Sequence, residues 1–187
     1  KGEGKWLKKT SKDWKLQFIS KGNKSMFEHL EAGVQGFEGK DKWRRECKLV
    51  LLNKVKAVDA IQLDSYTNTN MSENRVKTAI PMPLESIKGL RILEVGSGAG
   101  RFTEILLKYG AIVYSFDLSD AVLANYANNM PHENLTIFQA DVENIPFKDN
   151  FFDVSLCLGV MQHTRNFSLS LAEVARVTKD AGTISFD

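Results

Sequence analysis

The chain has 187 residues, 43% of them apolar and 26% charged, with a formal net charge of +2. That is long enough for one α/β domain with a real core, and nothing in it reads as a membrane span or a signal peptide. Its two cysteines, Cys47 in a charged segment and Cys157 in an apolar run, suggest neither a disulfide framework nor a metal site, so a reducing cytoplasm is the expected location.

Residues 1–48 carry a net +6 and residues 49–187 a net −4. A basic arm is compatible with nucleic acid, but lysines spaced among Trp6, Trp14, Phe18 and Trp43 also read as a solvated face. Gly22, Gly33, Gly36 and Gly39 break any long helix in this arm. Ser25 with Glu28 three residues on has capping-box spacing and predicts a helical stretch over 25–32. Residues 46–60 read as a helix or a strand–turn. We divide the chain into this N-terminal segment (1–61), a cap and connector (62–89), and an α/β domain (90–187).

In the connector a polar loop over 62–67 leads to a short helix that Ser72 can cap, and Pro81 and Pro83 then impose an extended backbone. From residue 91 the pattern is regular. Apolar runs at 92–95, 111–116, 135–140, 152–158 and 183–186 predict five strands. Phe102, Ile105, Leu106 and Tyr109 recur at i, i+3, i+4 and i+7, one face of a helix that Gly110 stops. Ser119 can cap a second helix over 120–129, and Asn166 or Ser168 starts a third through Val177, with Gly182 ending the turn before the fifth strand. Strands and helices alternating at this spacing predict a doubly wound parallel sheet, a Rossmann-like three-layer α/β/α fold.

The stretch Ile92-Leu93-Glu94-Val95-Gly96-Ser97-Gly98-Ala99-Gly100-Arg101-Phe102-Thr103 joins a strand to a helix through three glycines. Such a turn lets a ligand approach the backbone closely, beneath the unpaired N–H groups of a helix N-terminus. A dinucleotide fingerprint would need a small residue where Arg101 stands. The acid-x-Gly-x-Gly-x-Gly spacing, with Glu94 two residues before Gly96, resembles motif I of the class I S-adenosylmethionine-dependent methyltransferases. Phe152-Asp153-Val154-Ser155-Leu156-Cys157-Leu158-Gly159-Val160-Met161-Gln162-His163-Thr164 is similar to the motif IV region of the small-molecule members related to the ubiquinone and menaquinone methylating enzymes. Met161 replaces the usual Leu there, and the 176–182 segment lacks the Pro and one Gly of the usual Leu-Lys-Pro-Gly-Gly turn. The resemblance covers residues 62–187.

That resemblance implies S-adenosylmethionine as methyl donor, S-adenosylhomocysteine as product, and a small-molecule acceptor with an O, N or C nucleophile. Asp117, 21 residues after Gly96 at the second strand's end, would take the ribose hydroxyls, a role that its spacing alone would equally give it toward NAD. Asp141 would accept from the adenine amino group while the Val142 amide faces the ring. Glu94 would assist at the charged end of the cofactor, and the amides of residues 98–102 would hold its carboxylate. Gly96, Ser97, Gly98, Gly100, Arg101, Phe102, Leu118, Leu158 and Gly159 complete the expected cofactor contacts, and Tyr66 either closes over the cofactor or is a structural loop residue. His163 is read as a general base or as a brace of its turn, because imidazole exchanges protons near neutral pH. Methyl transfer is an in-line displacement, so orientation of the acceptor can supply most of the rate.

The family's sheet has seven strands, the last two an antiparallel hairpin beside the fifth, and that half-sheet is missing here. The chain is therefore expected to continue past Asp187, or to leave its fifth strand as an edge that invites association. Readings from other classes are a non-catalytic adenosyl-binding scaffold, a methyltransferase of RNA guided by the basic arm, and an oxidoreductase.

Overall fold

The computed structural model describes residues 6–8, 15–19 and 63–187; the helical stretch expected over 25–32 and the segment 46–60 lie outside them. Five parallel strands form the body of the sheet: β3 (Arg91–Val95), β4 (Ile112–Asp117), β5 (Leu135–Gln139), β6 (Phe152–Cys157) and β7 (Thr178–Phe186). Their order is β5-β4-β3-β6-β7, with β3 central. Two strands that the sequence did not reveal, β1 (Trp6–Lys8) and β2 (Lys15–Ile19), add an antiparallel pair at the β5 edge, so among the described residues the sheet has seven strands, the added pair lying on the side opposite to the family's hairpin.

Alternation along the strands sorts side chains onto two faces. Ile92, Val113, Ile137 and Val154 pack on one side against Val76 of α2 (Met71–Ala79), Ile105 and Leu106 of α3 (Arg101–Lys108), and Val122 of α4 (Val122–Asn129). On the other side Leu93, Tyr114, Phe138 and Phe152 pack with Phe147, Phe151 and the Val174 and Val177 side chains of α5 (Phe167–Val177). Tyr114 sits among Phe147, Phe151 and Phe152 with ring centroids 5.4–5.6 Å apart, all steeply inclined to it, the arrangement that aromatic quadrupoles favour. Burial pushes the Tyr114 phenol up to about 12, and does the same to the Cys157 thiol in β6. Among the described residues no helix is long and apolar enough to cross a membrane.

Two helix ends follow local chemistry. Gly110 stops α3 at φ +76°, and the Asn166 side chain accepts from the Leu169 amide at 3.1 Å to start α5. At α4 the expectation of a Ser119 cap is corrected: the helix starts at Val122 with Ala121 in the cap position and no side-chain cap, and Ser119 only accepts from the Ala121 amide at 3.2 Å in the turn before it. The cap expected for α2 is corrected as well. Ser72 lies inside the helix and buried; the cap is Asp64, on the one-turn helix α1 (Asp64–Thr67), whose oxygens accept from the Ser72 amide at 3.0 Å and the Glu73 amide at 2.9 Å. Burial alone would raise the Asp64 carboxyl, but these amide bonds outweigh it and hold it below its ordinary value.

A further correction concerns β7. The strand starts at Thr178, directly after α5, and no separate turn ends at Gly182. Phe152 pairs with Thr178 and Val154 with Thr183, so residues 179–182 bulge out of register. A Cβ on Gly182 would stand 2.9 Å from both the Asp153 and the Lys179 carbonyl oxygens, and the bulge closes only because none is there. Beside it, Arg176 ties α5 to the 145–149 loop by donating to the Ile145 and Phe147 carbonyls at 2.9 and 2.8 Å while pairing with Glu173 and Asp149. Arg176→Met removes the donor that two carbonyls and two carboxylates share; we expect a loss of about 2 kcal/mol in urea unfolding, with Arg176→Lys recovering only part because an ammonium cannot reproduce the fork.

Candidate active site

The turn between β3 and α3 takes its shape from glycine: Gly96, Gly98 and Gly100 have φ of +69°, +50° and +87°. Its backbone is fastened to the next strand. The Ser97 amide donates to the Phe116 carbonyl at 2.9 Å, and the Gly98 amide donates to Asp117 Oδ2 at 3.0 Å. Asp117 Oδ1 accepts from both the amide and the hydroxyl of Ser119, at 2.9 and 2.7 Å.

A cavity of about 300 Å³ opens at the C-terminal ends of β3, β4, β5 and β6, where open α/β sheets bind ligands. Phe116, Leu118, Ala140 and Val142 give it an apolar lining; Asp117, Asp141 and Glu143 supply three carboxylates, and Gly96, Gly159, Val160 and the 163–165 segment close it. Leu118 is 63% exposed on the cavity wall. Asp141 Oδ1 accepts from the Glu143 amide at 3.0 Å, while its Oδ2 pairs with Arg165 at 2.6 Å.

Beneath the turn lies a chain of buried polar groups. Glu94, 1% exposed on β3, accepts from the Thr103 and Ser115 hydroxyls with Oε2, the latter at 2.8 Å. The Asn125 side-chain amide donates to both of those hydroxyls at 2.9 Å. Asn129 donates to Asn125 Oδ1 at 2.9 Å and to the Gly100 carbonyl at 3.1 Å, and Asn128 donates to the Ala99 carbonyl at 2.9 Å. The Glu94 carboxyl rises from 4.5 to about 7, chiefly because it is buried. The Thr103 and Ser115 hydroxyls and the Thr103 amide act against that rise.

Of the residues singled out in the sequence, Gly96, Asp117, Leu118, Asp141, Val142, Gly159 and His163 line the cavity. Glu94, Ser97, Gly98, Gly100, Arg101, Phe102 and Leu158 do not, although a Cβ on Gly98 would meet nothing within 4 Å, so that side of the turn is open. Arg101 lies over the Phe102 ring at 4.4 Å, and Leu158 lines a separate recess with Arg75 and Asp187. Tyr66 is on α1 rather than in a loop, 69% exposed and away from the cavity. The His163 ring makes no hydrogen bond to any described residue; its turn is braced instead by the His163 amide to the Val160 carbonyl at 2.9 Å and by the Thr164 hydroxyl to the Met161 carbonyl at 2.9 Å. Glu143 and Arg165 escaped the sequence reading because charged loop residues look like solvated surface. Asn125, Asn128 and Asn129 fall at i, i+3 and i+4, one helix face, and that spacing was the available signal for them.

Residues 93–186, half of the chain, match the family model described as methyltransferase domain. The ubiquinone biosynthesis O-methyltransferase of Coxiella burnetii is 29% identical over 103 residues, covering 54% of this chain and 44% of that protein. The malonyl-(acyl-carrier protein) O-methyltransferase of Pectobacterium atrosepticum is 32% identical over 105 residues, covering 56% and 40%. This chain thus spans less than half the length of these curated relatives. Among solved structures, the YcgJ protein of Bacillus subtilis is similar with a TM-score of 0.53 and 26% identity, covering 62% of this chain and 48% of that one. The S-adenosylmethionine-dependent methyltransferase of Mesorhizobium loti shares the fold at a TM-score of 0.53 and 23% identity, covering 62% and 52%. With half of its length and every wall of its cavity inside the matched stretch, the chain belongs to the methyltransferase domain family.

Proposed function

We propose that the chain binds S-adenosylmethionine in this cavity and directs its methyl group to a small-molecule acceptor. The observation that carries the reading is the pair of acids Asp117 and Asp141, at the tips of neighbouring strands, with an apolar lining between them. The residues present fit an adenosine. The volume of about 300 Å³ lies at the lower end of small-ligand sites. Asp141 has acceptor capacity for an exocyclic amine, and Leu118 and Val142 offer apolar surface to a ring. Asp117 already accepts three hydrogen bonds, so in this arrangement one lone pair on Oδ2 remains for a ribose hydroxyl. A second becomes available if the exposed Ser119 hydroxyl turns away.

Bound there, the cofactor supplies a methyl group on a positively charged sulfur, already activated for displacement. The protein's part is to hold and orient. The turn from Gly96 to Gly100, open beside Gly98, and the first amides of α3 would hold the polar end of the ligand. His163, exposed on the cavity wall with its ring unbonded to described residues, is placed to take a proton from a hydroxyl or amine acceptor. The names of the relatives, which methylate oxygen, support an O-nucleophile. A cytoplasmic setting belongs to the same proposal.

Calorimetric titration with S-adenosylhomocysteine tests it. We expect saturable binding to the unaltered chain and about thirtyfold weaker binding to Asp117→Ala, the equivalent of roughly 2 kcal/mol for a hydrogen bond to a charged group. Absence of binding to the unaltered chain, or equal affinity in the variant, overturns the assignment.

A further inference from the structure

We infer that Arg165 is a ligand-binding residue at the purine end of the cavity, its guanidinium held by Asp141 and Glu143 and stacked against the bound base. The inference rests on the proposed adenosine site.

The argument starts from how the arginine is held. Its Nη2 donates to Asp141 Oδ2 at 2.6 Å and to Glu143 Oε2 at 3.5 Å. Both acids are themselves fixed by main chain: Asp141 by the Glu143 amide at 3.0 Å, and Glu143 Oε1 by the Asn166 amide at 2.9 Å. The loop after β5 and the loop after β6 are thereby stitched together across the cavity, with Arg165 as the cross-piece. Its Nε and Nη1 make no hydrogen bond to any described residue, and its side chain is 74% exposed while lining the cavity.

An exposed pair of this kind contributes about 0–1 kcal/mol to folding, too little to explain a guanidinium held by two anchored carboxylates over an apolar recess. A planar, weakly hydrated cation stacks well on aromatic faces. The recess it overhangs offers Leu118 and Val142 as apolar partners for a ring. Asp141 Oδ2 has a second lone pair, so the arginine and an exocyclic amine can share this acid without displacing each other. The two acids bias a flexible side chain toward this position, so part of the cost of ordering it is met before the ligand arrives.

Titration calorimetry with S-adenosylhomocysteine and with free adenosine, on the unaltered chain, Arg165→Ala and Arg165→Lys, tests this. Base–side-chain stacking is of a size that predicts about tenfold weaker binding of Arg165→Ala to both ligands, little recovery in Arg165→Lys, and unchanged urea unfolding. The matching loss for adenosine locates the effect at the purine. Affinity within twofold of the unaltered chain overturns the inference. So does tighter binding by Arg165→Ala, which would mean that the arginine competes for Asp141, and so does full recovery by lysine, which would mean that charge alone matters. Failure of the unaltered chain to bind either ligand is a different result: it removes the adenosine site and the inference together.

Discussion

Gly100→Ala is expected to lower the unfolding free energy by about 4 kcal/mol, whereas Gly98→Ala costs about 1 kcal/mol. Both positions have positive φ, so both variants carry the strain of an L residue there. What separates them is the surroundings. A Cβ at Gly98 meets open space; one at Gly100 would stand 2.2 Å from Asn125 Oδ1 and 2.3 Å from Asn129 Nδ2. Asn125 is fully buried and cannot retreat without giving up its bonds to Thr103 and Ser115, which in turn hold Glu94. One methyl group thus undoes a run of buried hydrogen bonds, and each unsatisfied member adds its own desolvation cost. Urea unfolding followed by far-ultraviolet circular dichroism measures both. Equal losses in the two variants would show that backbone strain, not the asparagine network, sets the cost.

Glu94→Gln should change the pH dependence of stability rather than its value at one pH. The Glu94 carboxyl is raised in the folded chain from 4.5 to about 7, first by burial. The folded state therefore holds this proton more tightly than the unfolded state does. Stability from this group is intact below about pH 4.5, falls as pH rises through the folded value near 7, and stays lowered above it; the rise corresponds to about 3 kcal/mol. Replacing the carboxyl by an amide removes the penalty, since Oε1 is buried without a partner and gains nothing from being charged. The unfolding free energy of Glu94→Gln minus that of the unaltered chain should grow by about 3 kcal/mol between pH 4.5 and pH 8. A difference flat across that range would mean that the carboxyl is not perturbed.

Local periodicity carries local information, and the elements it foretells are those whose buried face and ends are written in their own residues. The five parallel strands and α3 were legible because apolar spacing decides which face is buried, and Gly110 and Asn166 because a helix end needs a left-handed residue or a side-chain acceptor at that point. Asp64 as the cap of α2 was not legible: Ser72 occupied a plausible cap position, and the true partner is eight residues earlier on another helix. The bulge at residues 179–182 arises from pairing with β6, which no window of the sequence contains. In the site, acids at strand tips could be read because strands predict their own ends. The acid-x-Gly spacing marks Glu94, but not the hydroxyls and asparagines that surround it on the α3 side of the sheet, whose meeting is a matter of packing. Arg165 needed two loops to be brought together before it could look like anything but surface.

The asparagine side chains that reach the Ala99 and Gly100 carbonyls have a bearing on affinity as well as on folding. A glycine-rich bend would ordinarily sample many shapes, and a guest would have to arrest that motion on arrival. Here α4 has already arrested it from the far side. The entropy of ordering the bend is charged to folding, and the association constant is relieved of it.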